Sequence, residues 1–216
     1  MKYIERAITP VLRKGMSESL AGRIAISELS GLSAREIYGV RFNRHFIPTD
    51  EYISERAKEI VHYDNIWDII HKGSYPELYV VEREWQEFYS SYVSTYLERH
   101  VNEMISADGI TFTKFLTAVA ARTGELLNYS NIAGDVGVSE PTIKKWISIL
   151  ERTGIIYLLQ PYSPSSLKRA IKTPKIYFRD TGLACYLTRW ITAETLKCSA
   201  VAGNMFETFG WCALSC

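Results

Sequence analysis

The chain has 216 residues, a formal net charge of +1 and ordinary hydrophobic content, with fourteen tyrosines. That length fits one large or two small domains and a sizeable core. Near-neutral charge excludes a basic footprint over the whole chain, so any nucleic-acid site must be a local patch. The four cysteines, Cys185, Cys198, Cys212 and Cys216, form no CxxC and have no histidine cluster beside them. They read as free thiols in a reducing compartment, not as a zinc site or a disulfide framework. No run of about 18 apolar residues occurs. The N-terminus lacks the apolar core of a signal peptide. The expectation is a cytoplasmic protein without a membrane span.

In chain order, Ile24, Ile26 and Leu29 alternate as in a short, half-buried strand. Ser33 and Glu36 have the spacing of a capping box. Ile47-Pro48-Thr49-Asp50 reads as a turn and helix start, and Glu51 to His62 as a charged helix. His45, His62 and His71 are scattered without metal-site spacing. Tyr79 to Ser106 reads as one long helix. Its broad stripe includes Trp85, Phe88, Tyr89, Tyr92, Tyr96 and Leu97, and is expected to face the core. Asp108-Gly109 ends it, and Phe112 to Thr123 is a further helix closed by Gly124.

The centre of the chain is Leu127 to Pro161. Asn128 is placed to cap a helix over Tyr129 to Asp135, and Gly137 suits the turn. Ser139 caps a second helix with Pro141 near its start. Ile143, Trp146, Ile147 and Leu150 recur at helical spacing and should face inward. Gly154 stops this helix, and Ile155 to Gln160 reads as a strand. The pattern is a helix-turn-helix followed by a wing. Such a module places its second helix in a DNA major groove, or serves purely as a packing unit. On the DNA reading, Ser139, Thr142, Lys144, Lys145 and Ser148 would meet the duplex. Beyond the turn-rich Pro161 to Ser166, a basic cluster of Lys168, Arg169, Lys172, Lys175 and Arg179 would neutralise phosphates. Lys175 to Phe178 reads as a strand and Thr181 to Leu187 as a helix capped by Asp180.

The run SLAGRIAISELSGLSAREI resembles the end of the ATPase core in a group of prokaryotic AAA-type ATPases with a winged helix and a C-terminal domain of unknown function. GSYPEL, YSSYVSTYLERHVNEM, the helix-turn-helix, KTPKIYFRDTGLACYL and GNMFET are similar to successive segments of that family. The resemblance implies an ATP- and magnesium-binding parent whose subunits assemble. It makes Arg23 a candidate arginine finger or sensor, since its planar charged fork suits γ-phosphate oxygens. Yet no G-x-x-x-x-G-K-[S/T] loop and no Walker B strand occurs in this chain. No cofactor is expected in the chain itself. Asp180 and Glu207 fall near acidic positions of nuclease-like folds, but the further acid and lysine of such a site are missing.

The expected fold is mainly α. Residues 1–40 would be a remnant of the ATPase core and 41–106 a helical lid or connector. Residues 107–170 would be the winged helix and 171–216 the start of a truncated α/β domain. Both ends fall inside recognisable patterns, as in a fragment. The expected function is the DNA-contacting winged-helix part of an AAA-type ATP-binding protein. The alternatives are a protein-interaction module, coupling ATPase subunits or a toxin-like partner, and a truncated product without function.

Overall fold

The computed structural model describes residues 31–40, 42, 44, 47–59, 65–105, 107–162 and 173–215, with backbone only for 98–102 and 213–215. The chain is mainly helical, with one small sheet. Caps set most helix starts. Ser33 and Glu36 close a capping box on α1 (Ala34–Tyr38). Thr49 caps α2 (Asp50–Ala57), and Asn65 caps α3 (Ile66–Lys72). Each such cap contributes about 1 kcal/mol by satisfying a backbone N–H left open at the helix start. Arg23, the strand expected at Ile24 to Leu29, His45, His62, Lys168, Arg169 and Lys172 lie outside the described residues.

The long helix expected from Tyr79 to Ser106 is interrupted. A short α4 (Glu77–Val80) ends at Val81, whose backbone is extended, and Glu84 is extended as well. Helix α5 (Trp85–Tyr92) starts there and runs into a π-helical segment, Val93–Val101, and then α6 (Asn102–Ile105). The aromatic stripe does face inward, with Phe88, Tyr89 and Leu97 buried. Tyr75, from the loop before α4, packs on Phe88 and Tyr92 with ring centroids 5.4 and 5.0 Å away.

Asp108 caps α7 (Gly109–Ala120), Asn128 caps α8 (Tyr129–Val136) and Ser139 caps α9 (Glu140–Arg152). Gly137, at φ 84°, makes the turn between α8 and α9 in the left-handed region that favours glycine. Strands β1 (Ile156–Leu159) and β2 (Lys175–Phe178) pair antiparallel, Ile156 opposite Phe178 and Leu159 opposite Lys175. Leu126 bridges Lys175 on the other edge of β2, and Gly124 N–H donates to Ile176 at 2.7 Å. The order is helix, bridging segment, two helices and a two-stranded hairpin, as in a winged helix. Strand β2 lies beyond the boundary expected at residue 170, and its pairing makes it part of this unit.

The core is continuous. Phe112, Phe115, Leu116 and Val119 of α7 meet Ile143, Trp146, Ile147 and Leu150 of α9 and Ile176 and Phe178 of β2. Each such side chain contributes about 1.5–3 kcal/mol by leaving water. Helix α10 (Thr181–Leu187) packs against α7 on one side and α3 and α5 on the other, joining the connector to the winged helix. Helix α11 (Ala193–Lys197) packs on α3, and α12 (Ala202–Ser215) packs on α10, α3 and β2.

Candidate nucleic-acid interface

Helix α9 is strongly two-faced because its apolar residues recur at three- and four-residue spacing. Its stripe of Ile143, Trp146, Ile147 and Leu150 is buried, which leaves Lys144, Lys145 and Ser148 on the solvent side. The expected contact residues differ in how free they are. Ser139 Oγ accepts from the Thr142 N–H at 3.4 Å and lies 2.7 Å from Thr142 Oγ1, so both side chains are engaged in the cap. Ser148 Oγ donates to the Lys145 carbonyl at 2.7 Å. Lys144 Nζ is 2.7 Å from Glu140 Oε1 and 5.4 Å from the centre of the Tyr129 ring. Glu140 raises the Lys144 pKa by accepting a hydrogen bond from the ammonium and by its negative charge. Lys145 has no ion pair among the described residues, which makes it the most available cation on this face.

Lys175, from the expected basic cluster, is ion-paired. Its Nζ lies 2.6 Å from Glu207 Oε1, which also accepts from the Tyr177 hydroxyl at 2.5 Å. Lys175 and then Tyr177 hold the Glu207 carboxyl below the usual carboxylate range. Lys175 therefore bonds α12 to β2, and its charge is shared with Glu207. Arg179, from the same cluster, stands over the Tyr157 ring at 6.0 Å and lines a cleft of about 350 Å³ with Arg152, Ser74 and Asp180. Tyr162, 87% exposed, projects where the chain leaves β1 towards the turn-rich segment.

Among the described residues, Asp180, only 6% exposed, is densely hydrogen-bonded. Its Oδ1 accepts from the Tyr89 hydroxyl and the Leu183 N–H, both at 2.6 Å. Its Oδ2 accepts from Ser74 N–H at 2.6 Å and Ser74 Oγ at 2.8 Å. Two bonds on each oxygen fill the carboxylate's acceptor capacity. Asp180 thus caps α10, as its position before Thr181 implied, and also fastens the Gly73-Ser74 turn and α5. Sequence reasoning found the cap and missed the other partners. The glycines at 73 and 182, flanking Ser74 and following Asp-Thr, were the available hint, because a Cβ on either would collide with Tyr89 Oη at 2.2 Å.

These groups do not make a catalytic set. Asp180 is saturated, and burial pushes the Cys185 thiol pKa up. His71 Nε2 lies 2.8 Å from the Trp190 carbonyl, and its ring stacks on Trp85. With two hydrogen bonds on each oxygen, the Asp180 carboxylate offers a metal no open oxygen.

A family profile matches residues 63–194, from before α3 into α11, and its description is a domain of unknown function, DUF8612. The chain belongs to the DUF8612 family. The matched DUF8612 region takes in both the Asp180 junction and the unit of α7, α8, α9 and the β1–β2 pair. Two curated relatives are similar to the chain, uncharacterized protein Mb2031c of Mycobacterium bovis and uncharacterized protein Rv2008c of Mycobacterium tuberculosis. Each is 28% identical over 172 residues, covering 77% of this chain and 33% of the relative. The chain thus spans about a third of the length of these relatives. No solved structure matches it. Among the described residues, no helix is long and apolar enough to cross a membrane.

Proposed function

We propose that this chain is the winged-helix portion of a larger, cytoplasmic AAA-type ATP-binding protein, and that it contacts duplex DNA without holding the nucleotide itself. The observation that carries the reading is the solvent face of α9, where Lys145 stands exposed beside Lys144 and Ser148. Tyr162 leads from β1 into the segment bearing Lys168, Arg169 and Lys172. Such a surface suits phosphate contact, with affinity that falls steeply with salt and depends little on base sequence. In the intact parent, Arg23 is the candidate to reach a nucleotide bound on a neighbouring subunit.

Fluorescence anisotropy with a labelled duplex, at low and moderate salt, tests this. Salt-sensitive binding that is weakened by K145A and by a K168A/R169A/K172A variant is the expected result. Absence of binding at low salt overturns it.

The pairing of Lys144 with Glu140 and of Lys175 with Glu207 favours a second reading. It leaves fewer free cations for phosphate and suits a module that mediates contacts between protein subunits.

A further inference from the structure

Helix α2 keeps an exposed face, with Asp50, Glu51 and Ile53 open to solvent. None of its eight residues is buried, and an isolated helix of this length is marginal in water. Its contacts include the Tyr52 ring on Phe42, Arg56 over the same ring, and an Arg44–Glu55 ion pair. It presents Ile53, 58% exposed, next to Asp50 and Glu51, which have no ion pair among the described residues. A short acidic helix with an exposed apolar anchor is complementary to a basic, apolar seat.

The groove along α7 has that chemistry. It is open and about 680 Å³ in volume. Gly109, Thr113, Thr117 and Ala121 recur every four residues along its floor, so another helix can come close. Ile110, 73% exposed, stands at one end. Arg122 is neutralised by Asp135, whereas Lys114 and Arg189 have no ion pair among the described residues. Arg189 is also the one described non-glycine residue at positive φ, 62°, the kind of backbone strain that gathers at functional sites. A twelve-residue helix offers roughly 18 Å of length, and α2 needs roughly 12 Å. No residue of α2 lines the groove of its own chain.

We propose that α2 of one copy docks along the α7 groove of a second copy, Asp50 and Glu51 facing Lys114 and Arg189 and Ile53 covering the apolar floor. Reciprocal docking makes the contact twice and closes a two-fold dimer. Helix α9 takes no part, so the proposal stands apart from the DNA reading.

Sedimentation velocity of the 216-residue chain across a micromolar concentration series tests it, with circular dichroism confirming that each variant is folded. The mass should rise from monomer to dimer with concentration. K114E/R189E and D50K/E51K should each weaken the dimer about tenfold or more, and the four changes together should restore it. Ile53→Ser, which leaves the charge unchanged, should weaken it as well. A monomer at every concentration, a dimer indifferent to these changes, or failure of the fourfold variant to recover overturns the proposal.

Discussion

The Tyr89 hydroxyl donates to Asp180 Oδ1 at 2.6 Å across 91 residues of sequence. The same hydroxyl lies 3.1 Å from the Lys72 carbonyl, and the other oxygen of Asp180 holds Ser74. This junction ties α3 and α5 to α10 and so to α7. Asp180→Ala leaves the Leu183 and Ser74 N–H groups without their acceptor and the Tyr89 hydroxyl with only the longer bond to the Lys72 carbonyl. Breaking a buried charged network in this way costs about 3–5 kcal/mol. Tyr89→Phe removes one donor and costs about 1–3 kcal/mol. Chemical denaturation of the two variants should rank them in that order, and equal stabilities would show that the network is not what holds the junction.

The tyrosines around Asp180 should resist ionisation. Burial, then the Asp180 charge, raises the pKa values of Tyr75, Tyr79 and Tyr89 well above 10.0. Burial pushes Tyr92 up to about 12. A raised folded pKa means that the folded state keeps its proton longer than the unfolded chain. The stability this contributes is fully present below the unfolded value of about 10, and is lost as pH rises above it. Ultraviolet titration should therefore show a reversible group of tyrosines first, and the remainder only with cooperative alkaline unfolding. Smooth ionisation of all fourteen without unfolding would contradict the buried placement.

Glycines 182 and 134 should respond oppositely to alanine. A Cβ at Gly182 would lie 2.2 Å from Tyr89 Oη, 2.5 Å from the Lys72 carbonyl oxygen and 2.8 Å from Gly73 Cα. Two of these neighbours are backbone and cannot swing aside, so Gly182→Ala should cost about 1–3 kcal/mol. Gly134, on the exposed side of α8, meets nothing within 4 Å. Gly134→Ala should stabilise by about 0.5–1 kcal/mol through helix propensity alone. Thermal melts of both variants give the comparison. Y89F/G182A should recover only part of the loss, because the backbone collisions remain.

The DNA reading distinguishes the two lysines of α9. Lys145→Ala should lower affinity and reduce the salt slope by about one unit, since each phosphate contact releases about one counterion. Lys144→Ala should have a smaller effect, because Glu140 already holds that ammonium. Glu140→Gln should tighten binding by freeing Lys144 and removing a like charge from the phosphates. Anisotropy titrations at several salt concentrations decide this, and a Glu140→Gln variant that binds more weakly would place α9 away from the duplex.

Local chemistry along the chain was enough for the helix starts and the centre of the fold. Ser33 with Glu36, Asn128, Ser139 and Asp180 act on backbone N–H groups three residues ahead, so spacing alone reveals them. The apolar period of α9 was equally visible, since a helix that buries one face must repeat it in sequence. The break between Val81 and Glu84 was not, because apolar residues continue on both sides and no glycine or proline interrupts them.

Tertiary structure alone decided which polar groups are occupied. Lys175 and Glu207 lie 32 residues apart, and nothing local distinguishes Lys175 from the other cations of its cluster until β2 and α12 meet. Asp180 looked like one cap among several. Folding brings it Ser74 from 106 residues away and Tyr89 from 91, turning a helix cap into the junction of the molecule. Caps and periodic faces are short-range and leave a pattern in the sequence. Partners joined by folding share no register, so only the packed chain identifies them.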